Sequence, residues 1–169
     1  PEVASFGGKL LRAFGENLID EVMKETILSD RFDSTGLNPH RNFTVTDRGA
    51  GEMDTGQYDT QENVFGLSGA LVLYRGQALQ EARYKDEFFD HDFFAYKEDV
   101  DLGWRLHRAG WKVLYVPIVM GTHQRTLGKR GVFNWGLQVA TIKQRLHSPR
   151  SRYSFRNWLW MIAKNATAE

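Results

Sequence analysis

Residues 93–110 read FFAYKEDVDLGWRLHRAG, an aromatic segment that leads into a short helix. Acidic side chains open the predicted helix at Glu98, Asp99 and Asp101, basic side chains occupy its last turns, and Gly110 can end it. This order of charges suits the helix dipole. Acidic residues often occupy the first turn of a helix, so the helix pattern alone favours a structural role for these three side chains. Their crowding behind aromatic side chains leaves a functional carboxylate as the alternative.

The composition of the chain excludes several classes of chemistry. It has 169 residues, enough for one domain with a core, and it contains no cysteine. Disulfides, a thiolate nucleophile and a cysteine zinc site are therefore excluded. No segment reads as a signal peptide, and no apolar run is long enough to span a bilayer. Because the first residue is Pro1, we expect a fragment or a processed product.

Charge is divided unevenly along the chain. Residues 1–104 carry 10 Lys/Arg and 20 Asp/Glu, whereas residues 105–169 carry 12 Lys/Arg and 1 Asp/Glu. The net charge of +1 therefore combines −10 with +11. A basic C-terminal third predicts an anionic partner, such as phosphate, a membrane surface or nucleic acid. The alternative is that the acidic part of the same fold neutralises it.

Hydrophobic patterns predict a mixture of strands and helices. Strands are predicted at 3–12, 26–33, 42–45, 64–75 and 111–117 with a continuation to His123, and helices at 77–82, 133–147 and 153–164 besides the one before Gly110. The run 64–75 is apolar almost throughout, which indicates a strand buried on both faces. The segment 46–63 is polar and rich in turn residues, a pattern typical of a functional loop or of disorder.

Three local patterns have a structural and a functional interpretation. Ser68, Gly69 and Ala70 allow close approach to the backbone, but they lack the spacing of a dinucleotide fingerprint or a P-loop. His123 stands alone at a strand end, where a structural or solvated histidine is the commoner case. Tryptophans among cations in 153–164 fit an interfacial membrane helix and a helix packed on its own domain equally well.

Taken in order, these segments resemble the second half of a family-two, rhamnosyltransferase-like glycosyltransferase with the GT-A fold. The resemblance covers residues 3–128. It is carried by Ser68-Gly69-Ala70, Tyr74-Arg75, the run Phe93–Leu102 with Arg105, Gly110-Trp111, Tyr115-Val116-Pro117 and His123, together with the loop 47–59. It implies an α/β protein with a partial GT-A (Rossmann-like nucleotide-diphospho-sugar transferase) fold, a mixed sheet, flanking helices and C-terminal helices. Residues 1–130 would form the acceptor-side half of the catalytic domain, and residues 131–169 a basic helical extension.

The resemblance also implies an activity. The family transfers a sugar with inversion from a nucleotide-diphosphate donor, here to a saccharide or lipid-linked acceptor in cell-wall or surface polysaccharide synthesis. Asp99 would be the general base, ionised at its helix N-terminus, and Glu98 would orient the acceptor or the base. Substrate contacts are implied at Ser68, Gly69, Ala70, Asp101, Trp104, Arg105 and Arg125. For Asp101 and Arg105, an i,i+4 pair that locks the helix is the alternative.

A divalent cation, Mn²⁺ or Mg²⁺, is the cofactor that the resemblance implies, with His123 as one ligand. The basic residues Arg125, Lys129 and Arg130 would cover the donor's pyrophosphate as a lid. The family's metal-binding Asp-x-Asp lies N-terminal to the matched part, and no stretch here replaces it. Residues 90–92 read Asp-His-Asp but lie too close to the base motif. We therefore expect the 169-residue chain alone to be inactive.

A second hypothesis comes from a different class of protein. The chain would then be a non-catalytic binding module whose basic C-terminal third docks on an anionic membrane surface, with Glu98-Asp99 only a helix cap. Nucleic acid is not expected as a partner, because no recognised nucleic-acid-binding motif accompanies the basic residues. The expected location is cytoplasmic, peripheral on the inner face of the plasma membrane.

Overall fold

A computed structural model describes residues 2–17, 23–124 and 149–166. The strands are β1 (Val3–Asn17), β2 (Met23–Ser34), β3 (Leu37–Pro39), β4 (Val45–Asp47), β5 (Glu62–Val64), β6 (Leu73–Tyr74) and β7 (Lys112–Gln124). The helices are α1 (Gly76–Glu81), α2 (Glu98–Arg108) and α3 (Pro149–Asn165), with a 3-10 turn at His91–Phe93. The predicted helix at 133–147 and the predicted lid residues 125, 129 and 130 lie outside the described residues.

The main sheet is mixed, as the α/β expectation requires. Its order is β2-β1-β7-β5, with β6 also pairing with β1. β1 and β7 run parallel, whereas the β1–β2, β1–β6 and β5–β7 pairs are antiparallel. A separate two-stranded hairpin joins β3 to β4. The long pairing between β1 and β7 includes His123, which lies opposite Arg12.

Gly8 makes the closest backbone approach within this β1–β7 pair. A β-carbon added at Gly8 would lie 2.3 Å from the carbonyl oxygen of Ile118. The pairing register shifts between Gly7 and Lys9, so Gly8 lies in an irregularity of the ladder. The absence of a side chain at this position therefore allows the two strands to pair at this point.

Two apolar clusters hold the helices onto the strands. Leu102 and Leu106 of α2 are buried with Val113 and Tyr115 of β7 in the first cluster. The second unites α2 and α3 with the β3–β4 hairpin, through Leu37, Val45, Phe93, Val100 and Met161. Each fully buried side chain of this size contributes about 1.5–3 kcal/mol. α3 is thus packed on its own domain, in agreement with one of the two interpretations of its tryptophans.

The predicted continuous strand at 64–75 is wrong. Only Val64 and Leu73–Tyr74 are in strands, and Leu71 and Leu73 are 39% and 50% exposed. The intervening chain turns at Ser68, whose carbonyl accepts a hydrogen bond from the Leu71 amide (3.4 Å). An apolar run cannot reveal such a turn, because its cause is a contact with α2, thirty residues away.

The polar loop after β4 is fixed to the sheet by ion pairs. Lys9, buried in β1, donates to Asp54 (2.7 Å) and Asp59 (2.5 Å). Burial lowers the pKa of Lys9, but these two bonds outweigh it and raise the pKa overall. Arg48 lies between the rings of Tyr58 and Tyr115, 4.8 Å from each ring centre. The loop is therefore an ordered part of the fold. No helix in the described parts of the chain is long and apolar enough to cross a membrane.

Candidate active site

A cleft of about 620 Å³ opens where the end of β7, the β3–β4 hairpin and the first turn of α2 meet. It is lined by Leu37, Val45, Asp47, Ser68, Gly69, Ala70, Tyr96, Lys97, Glu98, Asp99, Val100, His123, Gln124 and Ser154. Six of the predicted site residues are among these: Ser68, Gly69, Ala70, Glu98, Asp99 and His123. Residues far apart in the sequence thus meet in one cleft. Arg125 lies outside the described residues.

Asp99 is held by two backbone amides. Its Oδ2 accepts from Gly69 N (3.1 Å) and its Oδ1 from Val100 N (2.8 Å). Burial is the largest influence and raises the pKa of Asp99, the two amides and Lys97 oppose it, and the charge of Asp47 adds to it. The expectation of a helix N-terminus that simply favours the ionised form is therefore incomplete. A raised pKa increases the proton affinity of the carboxylate, which suits a general base.

Glu98 lies beside Asp99 in a different environment. Burial raises its pKa, and the neighbouring Asp99 charge adds to the effect. Its buried Oε2 has no hydrogen-bond partner among the described residues. A buried, unpaired carboxylate oxygen is costly to the fold. Glu98 nevertheless lines the cleft, so the carboxyl group lies beside a molecule that binds there.

His123 is oriented by a carboxylate that the sequence did not indicate. Its Nδ1 lies 2.8 Å from Oδ2 of Asp33, a fully buried residue of β2 whose Oδ1 is 3.8 Å from Nε of Arg12. With Asp33 ionised, Nδ1 is the donor and Nε2 is left as an acceptor. This is the arrangement of metal-binding histidines. Asp33 precedes His123 by 90 residues, so only the sheet topology reveals the pair.

The described residues do not fit a complete metal site. Within the described parts of the chain, no three His, Asp or Glu side chains are grouped to hold an ion. In the Asp-His-Asp at 90–92, Asp90 has partners within the fold. Asp90 accepts from the Asp92 amide (3.1 Å) and from Lys164 (2.8 Å).

The structure does not bring Asp101, Trp104 and Arg105, the other predicted substrate contacts, into the lining of the cleft. Asp101 is fully buried and accepts from Arg105 Nε (2.9 Å). Arg105 also donates to the carbonyls of Ala82 and Phe88. Trp104 contacts the rings of Phe43 and Phe65, with centres 5.9 Å apart in each case. The alternative of an Asp101–Arg105 pair that locks the helix is confirmed.

The backbone that enters α2 is strained. Phe94, Tyr96 and Lys97 have φ values of 60°, 71° and 77°. Residues other than glycine rarely adopt this region of backbone conformation. At Phe94 the chain forms a γ-turn, in which Ala95 N donates to Phe93 O (2.7 Å). Each such residue costs on the order of 1–3 kcal/mol. Nothing in the residue types predicted this strain, because none of the three is Gly, Asn or Asp.

The charge of the cleft lining is predominantly negative. Asp47, Glu98 and Asp99 face Lys97 and the imidazole of His123. A diphosphate would meet like charges here, whereas a sugar hydroxyl would find carboxylate acceptors. The chemistry of the lining therefore suits an uncharged, hydroxyl-bearing molecule and a proton acceptor for it.

Comparison with known proteins gives a family and two relatives. Residues 37–146 match the family described as Glycosyltransferase like family 2. A 59-residue segment is 42% identical to N-acetylglucosaminyl-diphospho-decaprenol L-rhamnosyltransferase of Mycobacterium tuberculosis, in strains CDC 1551 / Oshkosh and ATCC 25618 / H37Rv. That segment covers 35% of this chain but 18% of the length of each relative. No solved structure matches the chain with significance.

Proposed function

The chain belongs to glycosyltransferase-like family 2, and we propose that it bears the general base and the acceptor site of an inverting glycosyltransferase. The donor is a nucleotide-diphosphate sugar and the acceptor a saccharide or lipid-linked saccharide, in cell-wall or surface polysaccharide synthesis. The observation that carries this proposal is the position of Asp99, a carboxylate of raised proton affinity in a cleft that suits a hydroxyl-bearing molecule. The relatives' names, which describe rhamnosyl transfer to a lipid diphosphate sugar, support the substrate classes.

In the proposed reaction an acceptor hydroxyl binds between Glu98 and Asp99. Its oxygen attacks the anomeric carbon of the donor while its proton passes to Asp99. The bond from the anomeric carbon to the phosphate oxygen breaks, and the nucleoside diphosphate leaves with the bonding electrons. Displacement in one step inverts the anomeric centre and needs no enzyme nucleophile. Glu98 orients the hydroxyl from the lining of the cleft, and the Ser68–Ala70 turn forms the floor.

Asp99→Asn in the full-length protein tests the assignment of the base. General bases contribute about 10²–10⁴-fold to rate, so we expect kcat to fall by that factor while the protein stays folded. Transfer is measured with a panel of UDP- and dTDP-sugars, including dTDP-L-rhamnose, and a synthetic N-acetylglucosaminyl-diphospho-lipid acceptor. Asp86→Asn, which changes a carboxylate whose side chain is 93% exposed, is the matched control. Unchanged turnover in Asp99→Asn would remove Asp99 from the reaction.

A divalent cation is part of the proposal, with Nε2 of His123 as one ligand. Asp33 supports this role because it fixes the proton on Nδ1. An ion would offset charge on the departing diphosphate. The remaining ligands must come from outside the described residues, so the proposed roles of Asp99 and Glu98 are independent of the ion.

Contact with a membrane is a second proposal, with a cytoplasmic location on the inner face of the plasma membrane. α3 exposes Phe155 (62%), Leu159 (46%) and Trp160 (43%), a combination that suits a lipid interface. Pelleting with liposomes that contain anionic lipid tests it, comparing the chain with a Phe155→Ser, Leu159→Ser double variant. Equal pelleting of the two proteins would remove the role of α3. The non-catalytic alternative has no comparable support, since Asp99 lies in the cleft and not at a solvated cap.

A further inference from the structure

The segment that orients Asp99 is held in place from α3, a helix that lies entirely beyond the residues 37–146 that match the family. Asn157 is fully buried, and its Nδ2 lies within hydrogen-bond distance of three carbonyl oxygens. These belong to Phe93 (2.8 Å), Ala95 (2.8 Å) and Tyr96 (2.7 Å). An amide carries two hydrogens, so three carbonyls share the donors of one side chain.

The carbonyls that Asn157 contacts belong to the strained entry of α2. Phe94, Tyr96 and Lys97 adopt positive φ, and Lys97 is the N-cap of α2 in the left-handed region without a side-chain hydrogen bond that caps the helix. Such a backbone persists only where its surroundings hold it. Arg156 adds two bonds, to the carbonyls of Asp92 (2.9 Å) and Phe93 (3.1 Å).

A second connection joins α3 to the same helix turn. Lys164 donates to Asp101 (3.0 Å) and to Asp90 (2.8 Å), and Asn165 donates to Asp101 (2.7 Å). Asp101 lies two residues after Asp99. The first turn of α2 is therefore fixed from both sides, before and after the proposed base.

We propose that Asn157 is a positioning residue for Asp99, which it places by holding the 93–97 turn in its strained conformation. The expected effect on turnover rests on the proposed function, whereas the placement of Asp99 is a property of the fold. With the turn fixed, the Asp99 carboxylate meets the amides of Gly69 and Val100 and lines the cleft. Without Asn157, three carbonyls lose a buried donor, and the turn relaxes toward ordinary backbone conformations.

The test compares Asn157→Ala with Met161→Ala in the full-length protein. Met161 is a fully buried residue one turn later on α3, so its truncation weakens the same helix without removing a donor to the turn. Hydrogen exchange, measured by mass spectrometry on peptides that contain Gly69 and Val100, reports whether these amides still bond to Asp99. We expect at least tenfold faster exchange in Asn157→Ala, relative to peptides from β1, and no such selective change in Met161→Ala.

Transfer kinetics and a second-site variant complete the test. With dTDP-L-rhamnose as donor, we expect kcat of Asn157→Ala to fall about 10–100-fold at nearly unchanged KM for the donor. Phe94→Gly should partly restore kcat and amide protection in the Asn157→Ala background, because glycine adopts positive φ without strain. Phe94→Gly alone, which also removes the ring contact of Phe94 with Tyr153 of α3, is the reference for the double variant. A general packing role of Asn157 would not be relieved by a glycine in the turn.

The two proposals fail in different ways. Parent-like exchange at Gly69 and Val100 in Asn157→Ala, or no restoration by Phe94→Gly, would overturn the positioning role whatever the activity. If Asn157→Ala does not fold, Asn157→Ser, which keeps one donor, replaces it and should show a smaller change in the same direction. Absence of transfer in the parent protein, together with selective loss of amide protection in Asn157→Ala, would reject the proposed function and leave the positioning role standing.

Discussion

At the scale of single residues, the site places carboxylates where burial opposes their charge. Asp99 and Glu98 have raised pKa values, chiefly because both are removed from water. Asp99 has two amide donors in compensation, whereas Oε2 of Glu98 has no partner among the described residues. Such an arrangement weakens the fold in order to keep reactive groups available, a trade between stability and activity that is common at active sites.

Asp99→Asn should make the stability of the protein less dependent on pH. A carboxyl group with a raised pKa in the fold contributes its stability below its unfolded pKa, and that contribution is lost as pH rises through the folded pKa. Asparagine is neutral throughout, but its NH₂ group meets one of the two backbone amides from which Asp99 accepts, at a cost that does not vary with pH. We therefore expect the Tm of the variant, relative to that of the parent, to rise between pH 4 and 8 in thermal unfolding followed by circular dichroism. A difference in Tm that is independent of pH, or that falls as pH rises, would contradict the effect of burial.

The Asp33–His123 pair leads to a prediction about a tautomer. With the buried Asp33 ionised, neutral His123 should carry its proton on Nδ1. Nitrogen-15 NMR of histidine-labelled protein at pH 8 distinguishes the two ring nitrogens, and Asp33→Leu should remove the preference and lower Mn²⁺ affinity about 10–100-fold in the full-length protein. His91, which is exposed and is not among the residues that line the cleft, is the internal control. A proton on Nε2 in the parent would mean that Nε2 is not available as a ligand.

At the scale of secondary structure, the site depends on close backbone contacts that glycines permit. Gly8 lies where β1 meets β7, and Gly103 of α2 brings the helix near the chain at Phe65 and Gly66. A β-carbon at Gly103 would lie 3.3 Å from the Phe65 carbonyl oxygen. β7 carries His123 and α2 carries Asp99, so both close approaches lie on elements that contribute to the cleft.

Gly8→Ala should destabilise the protein by about 1–3 kcal/mol or more, because the added carbon must displace the Ile118 carbonyl. Gly76→Ala is the matched control. No atom lies within 4 Å of a β-carbon there, its φ is not positive, and it begins α1. Urea unfolding gives the two free energies of unfolding. Equal values for the two variants would show that β1 and β7 are not in close contact at Gly8.

The helices α1, α2 and α3 and the long strands β1, β2 and β7 could be predicted from local patterns, but the predicted strand at 42–45 meets β4 only at Val45, and the contacts between elements could not be predicted. The helix pattern alone favoured a structural role for Asp99, and it was the family resemblance that placed Asp99 and residues 68–70 in the candidate site. The same apolar content led to the wrong strand at 64–75, since hydrophobicity does not encode the turn that Asp99 stabilises. The partnership of Asp33 with His123 and that of Asn157 with the 93–97 turn join residues about 60–90 apart, and a single sequence holds no signal for either.

At the scale of the whole molecule, the distribution of charge suits a sugar hydroxyl in the cleft better than a diphosphate. The cleft contains Asp47, Glu98 and Asp99, while the basic residues of the chain are concentrated after residue 104. α3 neutralises part of the acidic portion, because Lys164 pairs with both Asp90 and Asp101. Ion pairs inside the fold thus account for part of the basic C-terminal third. The expectation of an anionic partner for the whole of it is correspondingly weaker. A sugar hydroxyl is compatible with this cleft, and a diphosphate needs compensating cations.

The 169-residue chain by itself should therefore bind a nucleotide diphosphate weakly or not at all. Three carboxylates in the cleft repel the phosphates, and the described residues hold no group of metal ligands that would bring in a compensating ion. Calorimetry with UDP and dTDP in the presence of Mn²⁺ should give Kd values weaker than about 1 mM, and no transfer should be detectable. Circular dichroism of the same samples checks that the chain is folded, and Asp47→Asn, which removes one of the repelling charges, should bind no more weakly than the parent. Tight, Mn²⁺-dependent binding by the parent chain would show that its residues form a donor site of their own, and the acceptor-side assignment of this cleft would have to be given up.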